Sequence, residues 1–165
     1  MAWTAIPDKS TGDLMDETWY DTHFKANMEY LLGGRPQASV YRTGASDYTT
    51  TSANWLNVDA ANLALTLNIA SGRAFVIATF RLEADNTAGS EAEVDIAADG
   101  VRAGGAHGLV RLPQNQQEWA TIMALFPALS PGSRTFRLQY RNVTGGAMAT
   151  LKNDGFPITL LGWEV

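Results

Sequence analysis

A strict two-residue alternation near the end of the chain limits the fold more than any other feature. Phe136, Leu138 and Tyr140 alternate with arginine and glutamine. A strand with one buried face has this period, because successive side chains point to opposite sides of a sheet. Gly145-Gly146 then supplies a turn, and a final apolar run, Ile158–Val165, follows. The end of the chain is therefore predicted to be a series of antiparallel strands. The last strand is predicted to be central in its sheet, with Ile158, Leu160 and Gly162 on one face and Thr159, Leu161 and Trp163 on the other.

The same kind of pattern extends back to Pro36. Short runs with period two or continuous apolar character alternate with glycine, proline, asparagine and aspartate, which is typical of a β-sandwich or barrel. The predicted strands are Ala38–Arg42, Trp55–Val58, Asn62–Ile69, Arg73–Glu83, Ala92–Ile96, Leu109–Leu112, Trp119–Phe126, Arg134–Asn142, Ala147–Lys152 and Ile158–Val165. The predicted fold class is all-β, an antiparallel jelly-roll-like sandwich with one N-terminal helix.

Three predicted strands are apolar on both faces: Ala74–Leu82, Trp119–Phe126 and Ile158–Trp163. Such strands either lie centrally under loops or turn their outer face toward another subunit. Charged residues make up only 18% of the chain, which favours a partly covered surface and hence an oligomer. We predict a homotrimer, with Trp119, Met123, Tyr140, Leu161 and Trp163 at its interface.

The first 36 residues have a different pattern. Asp13 is a suitable helix N-cap, an apolar stripe recurs at helical spacing from Tyr20 to Leu31, and Gly33-Gly34 and Pro36 end the predicted helix. The chain is therefore predicted to have two parts. Residues 1–36 form an arm and an amphipathic helix, and residues 37–165 form a β head.

Composition excludes several classes of function. The net charge is −5 and the twelve lysines and arginines are scattered, which argues against nucleic-acid binding. The chain has no cysteine, so disulfides and thiolate metal sites are excluded. No run approaches the ~20 apolar residues of a membrane span, so no membrane insertion is predicted. No cofactor or metal is expected.

Two blocks resemble proteins of tailed phages. AWTAIPDKSTGDLMDETWYDTHFKANMEYLLGG resembles the opening of many phage virion proteins, and GSRTFRLQYRNVTGGAMATL is similar to the jelly-roll heads of tail fibres. The closing strands also resemble C1q/TNF-like trimeric jelly rolls. These resemblances imply a virion protein that docks through its N-terminal block. The implied attachment residues are Trp3, Ile6, Trp19, Tyr20, Phe24, Met28 and Leu31.

The function implied is structural, with the virion as the location. The chain would be a spike, capsid decoration or tail-fibre knob that contacts other virion proteins. Its head would stabilise the particle or bind the host surface, where a glycan is one candidate receptor. A carbohydrate-binding module is the first alternative and a small polysaccharide-active enzyme the second. The chain is predicted not to be an enzyme, because no paired general acid and base can be placed.

An acidic run and a glycine-rich loop are the two candidates for chemistry. Glu91, Glu93 and Asp95 share one strand face and could form a calcium or general-base cluster. The simpler prediction is a solvated acidic face that discourages edge pairing. The segment Arg102–Gly108 is predicted to be a flexible display loop. His107 within it could join a metal site if three copies met on an axis.

Aromatic residues in a polar setting are the candidates for surface binding. Tyr48 and Trp55 flank a run of threonine, serine and asparagine, and their rings could stack on sugars. The predicted surface-binding residues are Tyr48, Trp55 and His107.

Overall fold

The computed structural model describes residues 37–165, and within them twelve strands form two antiparallel sheets. The predicted N-terminal arm, helix and attachment residues lie outside this described part. The strands are β1 (Gln37–Arg42), β2 (Tyr48–Thr50), β3 (Leu56–Asn57), β4 (Ala64–Ile69), β5 (Ala74–Ala84), β6 (Glu91–Ala98), β7 (Val101–Arg102), β8 (Val110–Pro113), β9 (Gln117–Phe126), β10 (Gly132–Asn142), β11 (Ala149–Lys152) and β12 (Ile158–Glu164).

The first sheet is built around β5. Along one edge β5 pairs with the whole of β9, and along the other it pairs first with β12 and then with β11. Strand β1 pairs with the far side of β12, and β2 pairs with the far side of β11. The predicted central position of the last strand is therefore confirmed, because β12 lies between β1 and β5.

The second sheet has β6 and β10 at its centre. These two strands pair over seven residue positions, from Phe136 opposite Ala98 to Asn142 opposite Ala92. Strands β4 and β3 pair with the other edge of β10, and β8 and β7 pair with the other edge of β6. Strand β6 is therefore an interior strand, with neighbours on both sides.

The two sheets pack face to face through the inward-pointing side chains of their alternating strands. Phe126 of the first sheet packs against Phe136 of the second, with ring centroids 5.2 Å apart. A Cβ on Gly162 would lie 3.0 Å from Cδ2 of Leu65, so glycine lets the last strand approach the opposite sheet closely. The inward residues, including Phe80, Leu138 and others, form one continuous buried core.

All ten predicted strands occur, with ends that differ by a few residues, and two short strands were not predicted. Strand β7 forms a hairpin with β6 across a two-residue turn, in which Asp99 and Gly100 have φ of 47° and 89°. Positive φ at both central positions is the type I′ arrangement favoured by Asp-Gly. That signal was present in the sequence, but a two-residue strand is too short to show a period.

Candidate functional surfaces on the two outer faces

The outer face of the first sheet carries side chains in cross-strand rows. One row contains Trp163, Phe75 and Leu125, and the next contains Leu161, Ile77 and Met123. A third row contains Thr159, Thr79 and Thr121, and Tyr41 of β1 stands opposite Thr159. The three strands that the sequence showed to be apolar on both faces are thus adjacent, because β5 lies between β12 and β9.

We call the first two rows the apolar end of this face. Phe75 and Trp163 pack with ring centroids 5.0 Å apart. Met123 is 59% exposed, Leu125 50% and Leu161 44%, which is high for large apolar side chains of one sheet face. An exposed apolar patch on a sheet of this kind is typical of an interaction surface.

The opposite end of the same face is polar, and we call it the charged end. Arg81 lies over the ring of Phe156 at 4.3 Å, and Trp119 meets the edge of that ring. Beyond them Lys152 pairs with Glu83 at 2.8 Å and with Asp47 at 3.1 Å. The face therefore changes from apolar to charged along the direction of its strands.

Four of the five predicted interface residues lie on this face, and one does not. Trp119, Met123, Leu161 and Trp163 point outward, whereas Tyr140 is buried on the inner side of β10. The Tyr140 hydroxyl donates a hydrogen bond to the Thr49 carbonyl at 2.7 Å, and burial raises the pKa of the phenol. Because Tyr140 points inward from β10, it is a core residue and cannot contact another subunit from this position.

The outer face of the second sheet contains a buried charge network, where a solvated acidic face was predicted. Glu93 and Asp95 have no exposed surface, so that prediction is wrong for both residues. The physical reason is the position of β6 inside the sheet. Arg111 of β8 and Arg141 of β10 stand directly opposite Glu93 on its two sides.

Glu93 is held by three groups. Nε of Arg141 donates to Oε2 at 2.7 Å, Nδ1 of His107 lies 2.9 Å from Oε1, and Nε of Arg111 lies 3.7 Å from Oε1. Arg111 also pairs with Glu91. A buried carboxylate needs such partners, because an unpaired charge in the interior is costly.

Asp95 anchors the glycine-rich loop. It accepts hydrogen bonds from the amides of Gly104 at 2.9 Å and Ile96 at 2.8 Å, and from Arg102 at 3.2 Å. Burial raises the pKa of Asp95, and these donors act in the opposite direction. Arg141 donates to the carbonyl of Ala106 at 2.7 Å. The prediction of a flexible loop is therefore wrong, since residues 102–108 are fixed to the sheet at several points.

Trp55 lies beside this loop. The guanidinium groups of Arg102 and Arg141 lie 4.3 and 4.7 Å from the centre of its ring. A Cβ on Gly108, where φ is +69°, would lie 2.7 Å from Cη2 of Trp55, so only glycine allows this close packing. The arginines hold the π face that a sugar ring would need for stacking.

The three predicted surface-binding residues do not form one site. Trp55 and His107 lie together on the second sheet, and 61% of the His107 side chain is exposed. Tyr48 belongs to the first sheet, where its hydroxyl donates to Oδ2 of Asp59 at 2.9 Å and accepts a hydrogen bond from Arg42. Tyr48 is thus committed to an internal hydrogen bond.

The arginines that organise this network were not predicted from the sequence: Arg102, Arg111 and Arg141. For Arg141 the signal was alternation, since Arg137 and Arg141 occupy the same face of a strand whose other face is apolar. The pairing of that strand with the acidic strand could not be deduced from spacing alone. Three carboxylates and three guanidinium groups pair here, and Glu93 and Asp95 have no exposed surface, so they do not form an accessible pair of acids.

One cleft in the described part lies at the end of the sandwich beside Leu125. Its volume is about 420 Å³, and its lining is mostly apolar, with Val101 and Pro127 among the contributors. Arg134 at its rim is already paired with Asp99 at 3.0 Å and donates to the Ser130 carbonyl at 2.8 Å. The charged groups of this cleft are therefore engaged within the chain.

Residues 37–165 contain neither a metal-binding cluster nor a membrane-spanning helix. No group of three or more histidine, cysteine or acidic side chains is arranged to hold a metal ion within this range. In the same residues, no helix has the length and hydrophobicity needed to cross a bilayer.

No model of a known protein family and no curated protein sequence matches this chain. Among solved structures, it is similar to the C-terminal domain of EclA, described as a sugar-binding protein. That match has 15% identity and a TM-score of 0.33, and it covers 70% of this chain and 75% of the other. A structure of infectious bursal disease virus, strain Gx, matches at 16% identity and TM-score 0.33, over 78% of this chain and 37% of the viral chain. Likeness at this level carries no argument about function.

Proposed function

We propose that this chain is a structural protein of a tailed-phage virion, present as a homotrimeric spike, decoration or fibre knob. Residues 1–36 attach it to other virion proteins, and the sandwich, with jelly-roll connectivity, projects as a head. The resemblance of Trp3–Gly33 to the opening of phage virion proteins supports the attachment role. The head then acts by binding or by stabilising the particle, without covalent chemistry.

The observation that carries this proposal is the apolar outer face of the first sheet. Large apolar side chains of β9 and β12, on either side of β5, are about half exposed in the single chain, and permanent assemblies bury surfaces of this kind. The low charge of the whole chain agrees with a surface that is partly covered. A protein that works as a lone monomer would gain nothing from such a face.

The loops at one end of the sandwich support a role in display. The Asp85 carboxylate accepts hydrogen bonds from the amides of Met148 at 2.7 Å and Thr87 at 3.0 Å, and its backbone carbonyl accepts one from the Asn115 amide at 3.0 Å. Hydrogen bonds from these amides lower the pKa of Asp85, so it stays ionised. One residue thus ties three loops into a defined surface.

The two alternatives are less well supported by the geometry. Sugar binding at Trp55 would need a free face of its ring, and two arginines already lie over that ring. A polysaccharide-active enzyme needs accessible carboxyl groups, and Glu93 and Asp95 have no exposed surface.

Immunodetection on purified particles of the phage that encodes this chain tests the proposal. We expect the protein in intact virions at a fixed copy number, and we expect recombinant residues 1–165 to bind particles that lack it. A variant that begins at Gln37 should be folded by circular dichroism but should not bind. Absence from purified virions, together with specific binding on a glycan array, would support the carbohydrate-binding module instead.

A further inference from the structure

Two turns of the sandwich contain the dipeptide Asp-Gly. Asp99-Gly100 joins β6 to β7, and Asp154-Gly155 lies between β11 and β12. In this dipeptide the glycine amide nitrogen can attack the preceding side-chain carboxyl and close a succinimide ring, because glycine has no Cβ to hinder the approach. The chain therefore has two places where the same spontaneous modification could occur, and the surroundings of the two differ.

We infer that Asp154 is a site of isoaspartate formation in the folded protein and that Asp99 is protected from it. In the first step, the Gly155 nitrogen bonds to Cγ of the protonated Asp154 carboxyl, and the hydroxyl leaves as water with the amide hydrogen. In the second step, water adds to one of the two carbonyl carbons of the succinimide and breaks its bond to nitrogen. Cleavage at Cγ restores aspartate, whereas cleavage at the α-carbonyl carbon gives isoaspartate, whose main chain runs through Cβ. No oxidant or other reactant is consumed.

Space and exposure are similar at the two sites. Gly100 and Gly155 both have positive φ, 89° and 73°, and a Cβ built on either would meet nothing within 4 Å. The succinimide ring therefore has room to form in both turns. Asp99 and Asp154 are both exposed, and 43% of the Asp99 side chain is accessible. Neither steric hindrance nor lack of water distinguishes the two aspartates.

The carboxylate of Asp99 is held on both oxygens. Oδ1 accepts a hydrogen bond from the Thr135 amide at 3.0 Å, and Oδ2 accepts one from Nη1 of Arg134 at 3.0 Å. The Asp99 amide also donates to the Thr135 carbonyl at 2.9 Å, which fixes the main chain of the turn. The hydrogen bond from Thr135 is the largest influence on the pKa of Asp99 and, with Arg134, outweighs burial and lowers the pKa. An ionised carboxylate has no hydroxyl to lose, so it is a poor target for the glycine nitrogen.

The carboxylate of Asp154 has no such partners within residues 37–165. Its main-chain amide donates to Oδ1 of Asp47 at 3.1 Å, but no donor or cation of the described part engages its side chain. Lys152, two residues earlier, is committed to Asp47 at 3.1 Å and to Glu83 at 2.8 Å. The amide of Gly155 makes no backbone hydrogen bond within the same range. Both reacting groups are therefore available at Asp154-Gly155.

The modification would act on the contacts that follow the turn. Isoaspartate inserts one carbon into the main chain ahead of Gly155, and Phe156 is the next side chain. The ring of Phe156 lies 4.3 Å from the Arg81 guanidinium, and its centroid lies 5.9 Å from that of Trp119. We therefore expect Phe156 to move relative to these two groups at the charged end of the first sheet.

Oxygen labelling of the full-length protein tests the inference. The native protein is incubated at neutral pH in water enriched in heavy oxygen, because each succinimide that hydrolyses takes up one solvent oxygen. Trypsin in ordinary water then separates the two sites, since it cleaves after Arg81, Arg102 and Lys152 and yields peptides 82–102 and 153–165. Fragment spectra locate the label. We expect it to enter Asp154 about tenfold faster than Asp99, a difference of about 1.4 kcal/mol in barrier, and one hydrogen bond to a charged group is sufficient for such a difference.

Three controls connect the rates to the structure. In denaturant the hydrogen bonds of Asp99 are absent, so both Asp-Gly pairs should take up label at similar rates. Arg134→Gln removes one of the two Asp99 partners and should raise labelling at Asp99 without changing it at Asp154. Protein isoaspartate methyltransferase, added after the incubation, should methylate peptide 153–165 of the natural chain and not that of Asp154→Glu.

Two results would overturn the inference. One is uptake of label by native Asp99 as fast as by native Asp154. The other is a native Asp154 that stays unlabelled while the denatured chain takes up label at both sites. The inference does not depend on the proposed function, because labelling is measured on the isolated protein and virion association in a separate experiment.

Discussion

Nδ1 of His107 lies 2.9 Å from Oε1 of Glu93, so an exposed imidazole contacts a carboxylate that has no exposed surface. The Glu93 carboxylate has a second, closer partner in Arg141. Removal of Glu93 would leave that guanidinium without a carboxylate partner. The two members of the pair therefore differ in what they contribute to stability. Glu93 supports the network on the second sheet, and His107 is a peripheral member of it.

Glu93→Leu should lower the free energy of unfolding by up to about 3–5 kcal/mol, because the largely buried Arg141 guanidinium loses its carboxylate partner. His107→Ala should lower it by less than about 1 kcal/mol, because the imidazole is largely exposed and Glu93 keeps Arg141 as its partner. Denaturant unfolding of both variants measures the difference. Equal effects would show that the imidazole, and not the arginine, is the main partner of Glu93.

Leu160 and Leu161 are adjacent on β12 but face opposite sides. Leu160→Ala should cost about 2–5 kcal/mol, because Leu160 lies in the core and its loss leaves a cavity. Leu161→Ala should have little effect on the folding of the single chain and should instead weaken the oligomer. Chemical denaturation measured over a range of protein concentrations separates the two effects. A loss of stability for Leu161→Ala that does not depend on protein concentration would contradict a role of Leu161 between subunits.

Gly108 and Gly100 form a matched pair with positive φ. A Cβ at Gly108 would meet Trp55 and the Val94 carbonyl, both at 2.7 Å, whereas one at Gly100 would meet nothing within 4 Å. Gly100→Ala should cost about 1 kcal/mol from backbone strain alone. Gly108→Ala should cost clearly more and should shift the Trp55 indole resonance in an NMR spectrum. Similar losses of stability in the two variants, with an unchanged Trp55 resonance in Gly108→Ala, would mean that the loop can shift without disturbing Trp55.

Asp59 should contribute to acid sensitivity. Burial alone would raise its pKa, but hydrogen bonds from Asn62, Tyr48 and Ala61 outweigh burial and lower the pKa to about 2, from an ordinary value of 3.8. A lowered folded-state pKa stabilises the protein above pH 3.8, and this contribution is lost as the pH falls toward 2. Asp59→Asn should therefore flatten the stability profile over that interval, measured by thermal unfolding. An unchanged slope would assign the acid sensitivity to other carboxylates.

The pattern of apolar and polar residues was sufficient to predict ten of the twelve strands and their inward faces. Residues such as Phe136, Leu138 and Tyr140 alternate with polar neighbours, and a two-residue period allows only one assignment of faces. The same reasoning placed Ile158, Leu160 and Gly162 on one side of the last strand, and the structure confirms it. The error for Tyr140 came from assigning an inward residue to an outer surface.

What only the tertiary structure decided is which strands are neighbours. Pairing joins residues far apart in the chain, such as Glu93 with both Arg111 and Arg141, and no local period encodes it. The sequence alone determined that acids lie on one face of a strand and that three strands are apolar on both faces. The sheet determined that the acids are covered and paired, and that those three strands lie side by side in one exposed surface. The physical reason is that the burial of a side chain depends on the side chains of the neighbouring strands, and the order of the strands is set by packing of the whole core.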